Sequence, residues 1–115
     1  MIWRKKDNNT SAPNLPSLSR KEALILEMLV SGGRELYGLE MVEESKGELK
    51  RGTIYVTLQR MQEKDLIDSR QESRPAPEIG IPRRLYRITG HGARVFAAYQ
   101  AALSSLKTAL ASAGV

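Results

Sequence analysis

Lys50-Arg51-Gly52-Thr53-Ile54-Tyr55-Val56-Thr57-Leu58-Gln59-Arg60-Met61-Gln62-Glu63-Lys64 is the stretch on which the fold turns. Ile54, Leu58 and Met61 fall at i, i+4 and i+7, an apolar stripe that predicts a helix from residues 50–52 to Lys64. At roughly 100° per residue, Thr53, Val56, Gln59 and Arg60 point away from that stripe, with Tyr55 and Thr57 on its flanks. An ordinary surface helix shows Glu and Lys pairs on its wet side. This one offers groups that bond a base edge or a phosphate, or touch a thymine methyl.

Two helices are predicted before it. Ser19-Arg20-Lys21-Glu22 is a capping box, in which hydroxyl and carboxylate each satisfy a free amide at a helix start. The helix runs through Ile25, Leu26, Met28 and Leu29 and ends at Gly32-Gly33, where a left-handed residue is easily adopted. A second helix is expected over Glu35–Ser45, with Leu36, Leu39 and Val42 inward and Gly47 as its stop. Gly38 lies inside that span, and close approach of another backbone would account for it.

Two strands are expected after it, Leu66–Arg70 and Arg84–Thr89. Between them Gln71–Arg83 holds Pro75, Pro77, Gly80 and Pro82, so it reads as an extended hairpin tip, presenting Arg74 and Arg83, with Arg84 at its base. Arginines so placed reach phosphate or a narrow minor groove. Thr89 is the expected N-cap of a last helix running to about Ala113. In it Phe96, Tyr99, Leu103, Leu106 and Leu110 recur at intervals of three and four, the spacing of a helix that pairs with another helix. A rod near 30 Å long exceeds what so small a core covers, so these five residues are expected at a dimer interface.

Composition narrows the chemistry. With 115 residues, 41% of them hydrophobic but only one Trp and one Phe, the chain suits a single small core of Leu, Ile, Met and Val. Zero cysteines exclude disulfides and thiolate metal sites, and one histidine, His91, excludes paired-imidazole sites. Asp65 and Asp68 flank a turn without a histidine, cysteine or glycine-rich phosphate loop beside them, so no catalytic residue, metal ligand or cofactor is expected. No stretch approaches a membrane span, and the basic, polar start has no apolar signal core, so a cytoplasmic protein is expected. The net charge of +5 is unevenly laid out: six glutamates face Arg34 alone over residues 22–45, while residues 1–21, 46–64 and 70–94 are basic. Separated signs of this kind suit a face that meets a polyanion.

Three helices, a strand, a wing and a strand in that order resemble a winged helix-turn-helix. In detail the chain resembles PadR-like regulators over about residues 18–100, through Tyr37-Gly38, Gly52-Thr53-Ile54-Tyr55, Leu66-Ile67 and Tyr86-Arg87-Ile88-Thr89-Gly90-His91-Gly92. Three positions depart from that pattern: Tyr37-Gly38 reverses the usual Gly-Tyr order, Val56 replaces a proline, and Asp65 replaces a glycine. Asp tolerates the left-handed region better than most residues.

The resemblance implies a mainly helical α+β fold with a winged helix-turn-helix at 18–90 and a dimerisation helix at 91–115; residues 1–17, with Pro13 and Pro16 as breakers and no apolar period, read as a flexible arm. It implies a homodimeric transcriptional regulator, in the sense of a repressor, on a near-palindromic double-stranded DNA operator. Thr53, Tyr55 and Gln59 would then face the bases, with Lys50, Arg51 and Arg60 on phosphates and the wing on neighbouring backbone. Some such regulators take a small aromatic effector at the dimer interface, where Phe96 and Tyr99 would lie. The competing expectation is a winged-helix module whose exposed helix and wing bind protein instead of DNA.

Overall fold

The computed structural model describes residues 17–33, 35–72 and 83–113. The arm up to residue 16 with its Trp3, and Arg74 on the wing, lie outside the described residues. Among the described residues the elements are α1 (Arg20–Gly32), β1 (Leu36–Tyr37), α2 (Gly38–Glu44), α3 (Ile54–Glu63), β2 (Ile67–Gln71), β3 (Arg84–Ile88) and α4 (Gly90–Ala113). The fold is a mainly helical α+β winged helix: a helical layer on a small antiparallel sheet of order β1-β3-β2, followed by a long terminal helix.

α1 starts where the capping box requires. The Glu22 amide donates to Ser19 Oγ at 3.1 Å, and the Ser19 amide donates to Glu22 Oε1 at 3.0 Å. It ends at Gly33, whose φ of +60° lets its amide reach Leu29 O at 3.1 Å. Between these ends Ile25, Leu26 and Leu29 are buried against Leu58 and Met61 of α3, Leu36, Tyr86 and Phe96.

The helix expected over Glu35–Ser45 starts later. Leu36 and Tyr37 form a third strand instead, opposite Tyr86 and Leu85 of β3. Long-range pairing wins over helical spacing here, because it buries Leu36 while giving its backbone a ladder. Gly38 is thus the first residue of α2, and the Tyr37 amide is capped by Glu40 Oε1 at 2.8 Å. What approaches Gly38 is a side chain and not a backbone: a Cβ there would lie 2.8 Å from Cε1 of Tyr55.

α3 is shorter than expected, because Lys50–Thr53 form a turn in which Lys50 O accepts from the amides of Thr53 and Ile54. Its Ile54, Leu58 and Met61 are buried as their spacing predicts. Asp65 follows with a φ of +63°, the left-handed position that turns the chain into β2.

Thr89 joins that turn to α4. Its hydroxyl donates to Asp65 O at 2.7 Å, with Leu66 O at 3.1 Å, and accepts from the Gly92 amide at 2.8 Å. Gly92 sits so close to the residue before β2 that a methyl group there would collide with the Leu66 carbonyl oxygen and press on Ile88. The Thr-x-x-Gly exit therefore has two jobs, capping a helix and letting it lie on the sheet.

Candidate nucleic-acid interface

α3 presents its outer side to solvent. Thr53, Tyr55, Val56, Gln59 and Arg60 are exposed, and Lys50 and Arg51 stand in the exposed turn before the helix. Lys50, Arg51 and Arg60 make no ion pair with a described residue, so their charges remain available to an outside anion. Gln59 is only loosely held, its amide donating to Glu63 Oε2 at 3.4 Å.

Other basic residues are committed inside the protomer. Lys64 donates to both oxygens of Glu22, at 2.9 and 3.1 Å, and that carboxylate is 3% exposed. A buried acid needs such a partner, so Lys64 serves the core and not the surface. On the outer side of the sheet Arg70 forks onto Glu35 at 2.7 and 2.8 Å, and Arg87 lies 3.6 Å from Asp68 across the β2–β3 pair. The Arg70 bond holds the Glu35 carboxyl below its usual range and lifts the guanidinium. The sheet face is thereby neutralised in pairs.

The wing has a latch at its base. Tyr37 Oη donates to Glu72 Oε2 at 2.6 Å, the Glu72 amide donates to Arg83 O at 2.8 Å, and the Arg83 guanidinium lies 5.1 Å from the Tyr37 ring centroid. The Glu72 bond is the main reason that the Tyr37 phenol is pushed up, with Arg83 opposing it. Next in the strand, Arg84 donates to Ser69 Oγ at 2.9 Å. Burial raises the Tyr86 phenol, Tyr55 adds to the rise and Arg84 opposes it. Tyr86 is buried in β3 opposite Leu36 and Ser69, and a residue of α3 and one of the wing base both act on it.

The residues expected on α3, with Arg83 and Arg84 at the wing, thus stand on the surface, and the latch is one that local spacing does not foretell. Tyr37 was assigned to a helix, and no local spacing links it to Glu72, 35 residues away. One interface expectation is corrected: Phe96 is 6% exposed and belongs to its own protomer's core, because α1 packs over the first turns of α4. Tyr99 and Leu103 are half-buried in a groove with Ala23, Leu24 and Glu27 of α1, while Leu106 and Leu110 stand free in solvent.

A sequence model of the transcriptional regulator PadR-like family matches residues 25–98, well over half of the chain. The chain belongs to the PadR-like family of transcriptional regulators. No curated protein matches it by sequence. Among solved structures, a PadR family transcription regulator from Clostridium difficile R20291 is 25% identical, with a TM-score of 0.68 over 82% of this chain and 97% of that one. One from Eggerthella lenta DSM 2243 is 22% identical, with a TM-score of 0.64 over 81% and 82%. The YusO protein from Bacillus subtilis shares the fold at 18% identity, with a TM-score of 0.71 over 84% and 63%. As a PadR-like protein the chain is a DNA-binding regulator. Among its described residues no helix is long and apolar enough to cross a membrane, and no group of three or more His, Asp or Glu could hold a metal.

Proposed function

We propose that this PadR-like chain is a cytoplasmic repressor that binds a near-palindromic operator as a homodimer. Each α3 would enter a major groove, with Thr53, Tyr55 and Gln59 toward base edges and Lys50, Arg51 and Arg60 on phosphates. The wing would lie on adjacent backbone, with Arg83, Arg84 and Arg74 on phosphate or in the minor groove. The observation that carries this reading is the division of the basic residues: among the described residues Lys50, Arg51 and Arg60 have no acidic partner, whereas Lys64, Arg70 and Arg87 do.

The dimer is proposed on α4 and the exposed side of α1, with Tyr99, Leu103, Leu106 and Leu110 meeting a second copy. The arm at 1–17, the DNA-binding unit at 18–90 and the helix at 91–115 would act as three functional parts. A small aromatic effector would lie in the α1–α4 groove beside Tyr99, where binding could alter how the two α3 helices are spaced.

Selection of bound duplexes from a random pool tests the whole reading. The expected product is an inverted repeat with half-sites about one helical turn apart, 10–10.5 base pairs or a multiple. Only weak association that vanishes at physiological salt would instead favour a protein-binding module.

A further inference from the structure

The solvent side of α3 has an apolar centre. Counting roughly 100° per residue from Ile54, Val56 lies roughly 200° round the helix, almost opposite the buried stripe of Ile54, Leu58 and Met61. It is 58% exposed, and Tyr55 beside it is 50% exposed. Thr53 lies one turn before Val56, and Gln59 and Arg60 lie one turn after it, all exposed. A β-branched side chain is slightly unfavourable in a helix, and at this exposure it recovers little from burial. Within the protomer Val56 therefore has no use that a polar residue would not serve better.

We propose that Val56 reads a thymine, its methyl groups closing on the C5-methyl of one base in each half-site. The proposal rests on the reading of α3 as the recognition helix. Such helices contact bases with their N-terminal residues, and Val56 is the third residue of α3. In the major groove the C5-methyl is the one apolar group that marks a base, so an apolar side chain among hydrogen-bonding neighbours selects thymine. Gln59 and Arg60 supply polar contacts on either side, which fixes the register in which the methyl is met.

The test replaces each thymine of the selected duplex in turn by 2′-deoxyuridine, which removes the methyl and leaves every hydrogen-bonding group. Wild-type protein is expected to lose about fourfold in affinity at one position per half-site, the worth of one buried methyl-sized group. Val56→Ala is expected to bind the thymine and deoxyuridine duplexes equally, and Val56→Thr, which keeps one methyl, to fall between. A scan with no sensitive position, a sensitivity that survives in Val56→Ala, or a selected site without thymine overturns the proposal while leaving α3 as the DNA-binding helix. A pool that yields no preferred duplex overturns both.

Discussion

Lys64 Nζ lies 2.9 Å from Glu22 Oε2, tying the turn after α3 to the first turn of α1. The same carboxylate holds the Ser19 amide, so one buried acid caps α1 and anchors the end of α3. Lys64→Ala should therefore act on stability, not on DNA. Half-open to solvent, the pair is worth less than a fully buried one, and a loss of about 1–3 kcal/mol is expected in urea unfolding. Arg60→Ala should do the reverse. Stability should stay within about 0.5 kcal/mol, while the slope of log affinity against log salt falls by about one. Equal salt slopes for Arg60→Ala and wild type would remove Arg60 from the phosphate contacts.

Tyr37 gives the wing base a pH dependence. Its phenol is raised by the bond to Glu72, so the protonated form is the one the folded state prefers. That contribution is fully present below the unfolded tyrosine pKa of about 10 and is lost as pH rises through the higher folded value. Tyr37→Phe removes the bond but keeps the ring under Arg83. Hydrogen exchange at the Glu72 amide should speed up in this variant while amides of α1 stay protected, and the alkaline loss of wing protection expected of wild type should be absent. Unchanged exchange at Glu72 would mean that the strand ladder alone holds the wing.

How much of this was legible depended on the distance between partners along the chain. The Ser19–Glu22 box and the Ile54, Leu58, Met61 stripe are local, and the structure has both. Asp65 was legible only through the resemblance, which has a glycine at that position, and its φ of +63° is the left-handed backbone that a glycine there implies. Leu36 was not. Its apolar spacing to Leu39 suits a helix, and only Tyr86, far along the chain, supplies the strand that claims it. Lys64 adds to the basic count of residues 46–64 with no sign of its partner for the same reason, because its acid lies 42 positions earlier. At Phe96 periodicity showed which side of α4 is apolar, not what covers it.

Two glycines separate packing from recognition. Gly92→Ala places a methyl against the backbone of Leu66, which cannot rotate away, so α4 must lift from the sheet. A loss of about 1–3 kcal/mol or more is expected, read as a lower urea midpoint. Gly38→Ala meets the Tyr55 ring instead, and a ring on the surface can swing aside. The alanine also favours the helix by up to about 1 kcal/mol, so stability should change little. Affinity for the selected duplex should still fall, because Tyr55 is displaced from its place on α3. If Gly38→Ala binds the duplex as wild type does, Tyr55 has no part in recognition.

The same contrast decides what α4 is for. Leu106 is 48% exposed and Leu110 is 62% exposed, so the protomer gains little from either, whereas Phe96 is enclosed by its own α1. If the outer half of α4 is a seam between two copies, Leu106→Glu with Leu110→Glu should give a folded monomer. In it the midpoint of unfolding would depend less on protein concentration, since dimerisation no longer adds its mass-action term. Operator affinity should drop to that of a single half-site. Phe96→Ala should instead cost about 3–5 kcal/mol in the protomer itself, whatever its partner does. Light scattering with the urea midpoint at two concentrations reads both. A double glutamate variant that stays dimeric would move the seam off the end of α4, toward Leu24 and Met28 on α1.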